Sequence, residues 1–179
     1  IIDQIHEVAP TCGVFLDLKL HDIPNTVRGA ARSVAPLTPE YLTVHASGGA
    51  RMIAAAVEAV DKAARQMGAP APTVLAVTVL TSMDDLELAS VGVANKTALH
   101  VQHLAKLALG AGATGLVCSA QEARALRAEF GPKPMLVTPG IRLAGDAAGD
   151  QARVVTPEQA VANGASALVI GRSITGSAD

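Results

Sequence analysis

The sequence predicts an α/β fold, a TIM (β/α)8 barrel of which six strands are present. Three observations predict it. Short apolar runs alternate along the whole chain with segments of helical character, the pattern of βα units around a parallel sheet. The runs are apolar throughout rather than alternating, as expected of strands covered on both faces. Finally, the chemically interesting side chains recur at the C-terminal ends of these runs: Asp17 and Lys19, His45, Thr81 and Ser82, Ser119, Arg142, and Gly171 with Arg172. A barrel gathers its active groups on that rim, whereas an open doubly wound sheet concentrates them at one switch point. Periodicity alone leaves both architectures open, and the spread of polar groups over every strand end favours the barrel.

In chain order, strands are expected at Val14–Leu18, Tyr41–His45, Thr73–Leu80, Gly115–Cys118, Met135–Thr138 and Ala167–Ile170. Helices are expected at Asn25–Val34, Ala50–Gln66, Asn95–Leu109, Ala120–Phe130 and Pro157–Asn163. The last has the clearest start signal, with Thr156 as cap, Pro157 in the first helical position and Gln159 three residues after the cap. The first residues, from Ile1, read as the middle of a helix. Within the long helix, Glu58, Asp61, Lys62 and Arg65 read as its solvated face.

At 179 residues with 50% hydrophobic content, the chain can bury a sizeable core and its length fits one domain. A net charge of −2 and 2% aromatic residues supply neither a basic field nor a stacking platform for nucleic acid. Cys12 and Cys118 lie in or beside apolar segments without metal-ligand spacing and read as buried thiols, which fits a reducing, cytoplasmic compartment. No apolar run approaches a membrane-spanning length, and no secretory leader is visible. His100 and His103 are three apart on an expected helix but lack a third ligand for a metal.

The richest segment is Asp17-Leu18-Lys19-Leu20-His21-Asp22-Ile23-Pro24-Asn25-Thr26. It follows an apolar strand and carries carboxylate, ammonium and carboxylate in alternation. Asp17 and Lys19, two apart, point to one side of a pleated strand. Pro24 ends the strand and Asn25-Thr26 offers caps for a following helix. A structural ion pair is the alternative reading of Asp17 and Lys19, since burying such a pair is often no gain over apolar packing.

Further along, Gly171-Arg172-Ser173 follows the apolar run Ala167-Leu168-Val169-Ile170. Glycine there would let backbone N–H groups approach an anion while Arg172 offers a two-pronged donor; an ordinary loop is the alternative. Residues 139–151 form a small-residue, glycine-containing loop with Arg142 and Gln151, of a length typical of lids or mobile loops. Thr81 and Ser82 could hydrogen-bond a ligand or cap the next helix.

The ten-residue segment closely resembles the Asp-x-Lys-x-x-Asp-Ile-Pro-Asn-Thr signature of the orotidine 5′-phosphate decarboxylases. Pro139-Gly140-Ile141-Arg142 and Gly171-Arg172 are similar to that family's phosphate-gripping elements. The resemblance covers essentially the whole chain and implies decarboxylation of orotidine 5′-phosphate (OMP) to UMP in pyrimidine biosynthesis, with no metal and no organic cofactor. It implies Lys19 as proton donor to C6, with Asp17 beside it. Asp22, Ile23 and Thr26 would complete the site of the neighbouring subunit, so a homodimer is implied, with Asp22 in the catalytic set. Thr81, or else Ser82, would contact the base, and Arg142, Gln151, Gly171 and Arg172 the phosphate. His21 and His45 would be supporting residues.

A whole barrel takes about 250 residues. The resemblance therefore implies that residues 1–179 are a single incomplete barrel domain, strands three to eight of eight. The first two strands, carrying an aspartate and a lysine of the family's charge network, would precede Ile1, and the last helix would be absent. Three other readings fit parts of the pattern. A hexulose-phosphate synthase of the same scaffold uses a similar Asp-x-Lys-x-x-Asp with Mg²⁺, a Schiff-base aldolase would use Lys19, and a non-catalytic fragment would only bind a phosphate ligand. Ile-Pro-Asn-Thr favours the decarboxylase over the first, and Asp17 and Asp22 argue against the neutral amine that the second requires.

Overall fold

The computed structural model describes residues 1–142 and 155–176, with the side chain of Arg172 left aside. The chain divides into two compact units. The first comprises residues 1–77 and 107–114, the second residues 78–106 and 115–179.

The first unit opens with helix α1 (Ile2–Val8), which leads through a turn into strand β1 (Phe15–Leu20). Helix α2 (Pro24–Val34) starts on Pro24, which has no N–H to leave unpaired in the first turn. Strand β2 (Tyr41–His45), helix α3 (Ala50–Met67) and strand β3 (Thr73–Val77) follow. β1 pairs with β2 and β2 with β3, all parallel. The β2–β3 ladder is regular, from Tyr41 opposite Thr73 to His45 opposite Val77. Leu42 and Val44 of β2 are fully buried, as are Met52, Ile53 and Ala56 of α3 and Ala31 of α2. Gly68, with φ +65, closes α3 in the left-handed conformation that a residue with a Cβ resists.

The second unit contains helix α4 (Asp85–Ser90), most of helix α5 (Thr97–Gly110), strand β4 (Gly115–Val117) and helix α6 (Ala120–Phe130). Strand β5 (Met135–Thr138), helix α7 (Pro157–Ala162), strand β6 (Ala167–Leu168) and the single-turn helix α8 (Arg172–Thr175) complete it. β4, β5 and β6 are again parallel and adjacent in chain order. Ser119 and Glu122 form a capping box at α6, and Thr156 and Gln159 form one at α7. Ala120, Ile141 and Ala160 form a small buried cluster with Val155, Ala165, Leu168 and Ile170 packed on it. Arg127 ties the entry side of these strands together. Its guanidinium donates to the carbonyls of Gly164 (2.8 Å) and Pro134 (2.6 Å) and to Ser166 Oγ (2.7 Å).

The strand and helix positions agree with the sequence expectations to within two residues at most ends, β6 stopping at Leu168 rather than Ile170 and α5 starting at Thr97 rather than Asn95, and other differences are these. β1 begins one residue later than expected and runs two residues further, through Lys19. β3 stops at Val77 rather than Leu80, because the chain turns so that the Met83 N–H reaches the Leu80 carbonyl. α4 is not among the expected helices; its cap is Asp84, whose carboxylate accepts from the N–H groups of Leu86 and Glu87. Lastly, Cys118 is buried as expected but Cys12 is exposed, since it lies in the turn before β1, its N–H bonded to the Ala9 carbonyl, rather than in the strand; neither is in a disulfide.

Candidate active site

The Asp17–Lys19 segment breaks the regular strand. Leu16 stands opposite Leu42 and Leu20 opposite Val44, so β1 advances four residues where β2 advances two. The surplus is taken up as a bulge around Asp17, Leu18 and Lys19, a device that re-aims side chains at a strand end. Lys19 has φ +49, a left-handed conformation that costs a residue with a Cβ on the order of 1–3 kcal/mol and clusters at functional sites. The Lys19 ammonium and Asp17 Oδ2 do meet as an ion pair. The shared side expected from their spacing is thus observed, on a strand end that the bulge carries out of step with β2.

The second oxygen of Asp17 is also used. Thr43 Oγ1 donates to Asp17 Oδ1 at 2.8 Å and accepts the backbone N–H of Lys19, also at 2.8 Å. Thr43 is fully buried in the middle of β2. Its hydroxyl thus closes a ring that runs from the Lys19 N–H through Thr43 to Asp17 and back to the Lys19 ammonium. The Asp17 and Lys19 side chains keep 44% and 40% of their surface exposed, so the pair remains open to a ligand. Sequence reasoning overlooks Thr43 because a threonine between Leu42 and Val44 reads as a β-branched filler. The available signal is the hydroxyl itself, which a covered strand must satisfy.

Around this ring, His45 ends β2 and its ring lies 5.4 Å from that of His21. Burial, followed by the charges of His21 and Lys19, lowers the His45 pKa below its ordinary value, while Asp17 opposes the shift. Gly48 sits close by: a Cβ there would fall 2.2 Å from Met52 Sδ and 3.1 Å from the His21 ring. Asp22 is exposed just beyond β1, and its Oδ1 accepts the Ile23 N–H at 2.6 Å. Ile23 is 66% exposed ahead of α2, and Thr26 is exposed within its first turn.

The other expected residues belong to the second unit. Thr81 is buried and Ser82 exposed, and neither caps α4, a role that falls to Asp84. Gly140 adopts φ +77, which explains the glycine of Pro139-Gly140. Arg142 follows, its backbone N–H donating to the Val155 carbonyl and its Nη1 to the Ile141 carbonyl at 2.8 Å. Gln151 lies outside the described residues. Gly171 is exposed with open space where a Cβ would be, and Arg172 begins α8 directly after it. The described structure thus brings Asp17, Lys19, Thr43, His45 and His21 together; Thr81, Arg142 and Gly171 stand at loop or turn positions of the second unit, and Arg172 at the start of its helix α8. Among the described residues no group of three His, Cys, Asp or Glu side chains could hold a metal ion. No described helix is long and apolar enough to cross a membrane.

Parallel strands in chain order, each followed by a helix, with the polar groups at their C-terminal ends, define a protein of the (β/α)8-barrel class. The family described as "Orotidine 5′-phosphate decarboxylase / HUMPS family" matches over residues 1–179. The chain is 58% identical over 166 residues to the orotidine 5′-phosphate decarboxylase of Thermobifida fusca, covering 93% of this chain and 67% of that protein. With the Gluconobacter oxydans enzyme of the same name it shares 49% identity over 178 residues, 99% of this chain and 75% of the relative. The crystal structure of orotidine 5′-phosphate decarboxylase from Lactobacillus acidophilus superposes with a TM-score of 0.84 at 40% identity, covering all of this chain and 75% of that one. This chain therefore belongs to the orotidine 5′-phosphate decarboxylase family of enzymes.

Proposed function

We propose that this protein converts OMP to UMP and CO₂ as a step of pyrimidine biosynthesis in the cytoplasm, using neither metal nor organic cofactor. The observation that carries the reading is the Asp17–Lys19 pair, held open to solvent on a bulged strand end with Lys19 in a left-handed conformation. Breaking the bond between C6 and the carboxylate leaves its electron pair in an sp² orbital outside the ring's π-system. An ammonium at that point stabilises the developing charge and then delivers the proton that forms the new C6–H bond. Lys19 is assigned that role. Asp17 orients the ammonium and stands near the departing carboxylate.

Thr81, with Ser82 as second choice, is assigned to the pyrimidine, and Arg142, Gln151, Gly171 and Arg172 to the 5′-phosphate. Binding energy from that unreactive group can be used to orient the ring, so Arg172→Ala should lower rate as well as affinity. Asp22, Ile23 and Thr26, exposed beside β1, are assigned to the site of a second copy in a homodimer. The described strands are assigned as strands three to eight of the barrel, within one domain.

The matching family also includes enzymes of the HUMPS type, and a magnesium-dependent reaction on a sugar phosphate would use a similar Asp-x-Lys-x-x-Asp. Asp22-Ile23-Pro24-Asn25-Thr26 and the names of the relatives support the decarboxylase instead. The protein incubated with OMP and EDTA should release UMP at an undiminished rate. Absence of turnover, or its loss on chelation, would overturn the proposal.

A further inference from the structure

We propose that Thr43 is a positioning residue for the decarboxylation assigned above, acting through its hydroxyl on both members of the Asp17–Lys19 pair; the inference rests on that assignment. A hydroxyl has a single proton to donate, and this one gives it to Asp17 Oδ1 while its oxygen takes the Lys19 N–H. Both bonds are 2.8 Å and the side chain has no exposed surface, so water does not compete for the hydroxyl.

Each bond addresses one degree of freedom that the reaction needs fixed. The Lys19 N–H bond anchors the backbone at the one point of β1 where φ is +49 and the pairing with β2 is out of step. An extended strand would dispel that strain and re-aim the Lys19 side chain. The Asp17 bond fixes the carboxylate plane, committing Oδ1 to the interior and leaving Oδ2 for the Lys19 ammonium. Valine has nearly the shape of threonine yet can make neither bond. It would leave a strained lysine without its backbone anchor and a carboxylate free to rotate.

The distinguishing property of such a residue is a loss in kcat without a matching loss in ligand affinity, since Thr43 is not among the residues assigned to grip the nucleotide. With the intact protein, kcat for OMP, the Kd for UMP and the thermal midpoint are measured for wild type, Thr43→Val and Thr43→Ser. Thr43→Val should lose about tenfold to a hundredfold in kcat while UMP affinity stays within about twofold, and Thr43→Ser should recover kcat to within about threefold. If Thr43→Val does not accumulate as folded protein, Thr43→Cys makes the same comparison with similar volume and a much weaker donor and acceptor. Wild-type turnover with an unchanged kcat in the valine or cysteine variant overturns this inference alone. So does a parallel fall of kcat and UMP affinity, which a merely structural hydroxyl would produce. No turnover by wild type removes the decarboxylase assignment and this inference with it.

Discussion

The Lys19 ammonium pairs with Asp17 Oδ2 across the one stretch where β1 falls out of register with β2. An exposed ion pair on a regular strand contributes little, typically up to about 1 kcal/mol. A left-handed lysine costs about as much as such a pair returns or more, so stability alone does not account for this arrangement. A strand end that gives up regular pairing to present an ammonium against a carboxylate is the feature on which the proposed reaction rests.

Lys19→Ala is accordingly expected to reduce OMP turnover by about a thousandfold or more, since it removes both the charge that stabilises the carbanion and the proton it takes up. UMP binding should remain measurable by calorimetry, because the phosphate contacts are assigned to other residues. A variant that retains near wild-type turnover would refute Lys19 as the proton donor.

Asp22 leads to a different experiment. It is exposed beyond β1, and its Oδ1 accepts the N–H of its own neighbour Ile23. Ile23 is an apolar side chain that is 66% exposed. If these residues complete a second copy's site, Lys19→Ala and Asp22→Ala proteins should each be inactive alone. Mixed by reversible dissociation, they should recover up to about a quarter of wild-type activity, since half the dimers are mixed and each mixed dimer holds one intact site. Verified heterodimers with no recovery would show that Asp22 acts on its own subunit's site or on none.

Much of this arrangement is legible in the order of residues alone. β2, β5 and α6 fall where the sequence places them, and so does the start of α7, which Thr156, Pro157 and Gln159 mark. The Asp17–Thr26 segment is legible as a site because its residue types are chemically unusual at the end of an apolar strand. What escapes is whatever depends on partners distant in sequence. The bulge is a mismatch between β1 and β2 and leaves no mark in either alone. Thr43 lies 26 residues from Asp17, and its β-branched shape suits a strand well enough to conceal the hydroxyl. The six-residue α4 has a single buried side chain, Leu88, too little for a recognisable period.

Arg127 offers a structural contrast to the arginines assigned to phosphate. Its three shortest bonds join α6 to the entry of β5 and to the turn before β6. Lysine has neither the fork nor the reach to make all of them. Arg127→Lys should lower stability by about 2 kcal/mol, judged from hydrogen bonds to a charged donor, seen as a reduced urea midpoint with an unchanged slope. Activity per folded molecule should persist. A variant as stable as wild type would mean that the carbonyls of Pro134 and Gly164 are equally well served by water.

His45 links the site to acidity. Burial is the main cause of its lowered pKa, with the charges of His21 and Lys19 adding to it and Asp17 opposing. Because the folded value lies below the ordinary 6.5, the unfolded chain binds a proton in that window that the folded chain refuses. The stabilising contribution is complete above about 6.5 and is lost as pH falls through the folded value. The thermal midpoint of wild type should therefore drop more steeply between about pH 7 and 5 than that of His45→Gln, which has no proton to take up there. Parallel curves would remove His45 as the cause. Asp17→Asn tests the electrostatics directly, because among the described residues it deletes the charge that favours protonated His45. The His45 ring resonances followed by NMR should then titrate at lower pH than in wild type, and in Lys19→Ala at higher pH. Opposite displacements in the two variants would establish that the pair of charges on β1 is sensed at the end of β2. Unmoved titrations would assign the lowered value to burial and His21.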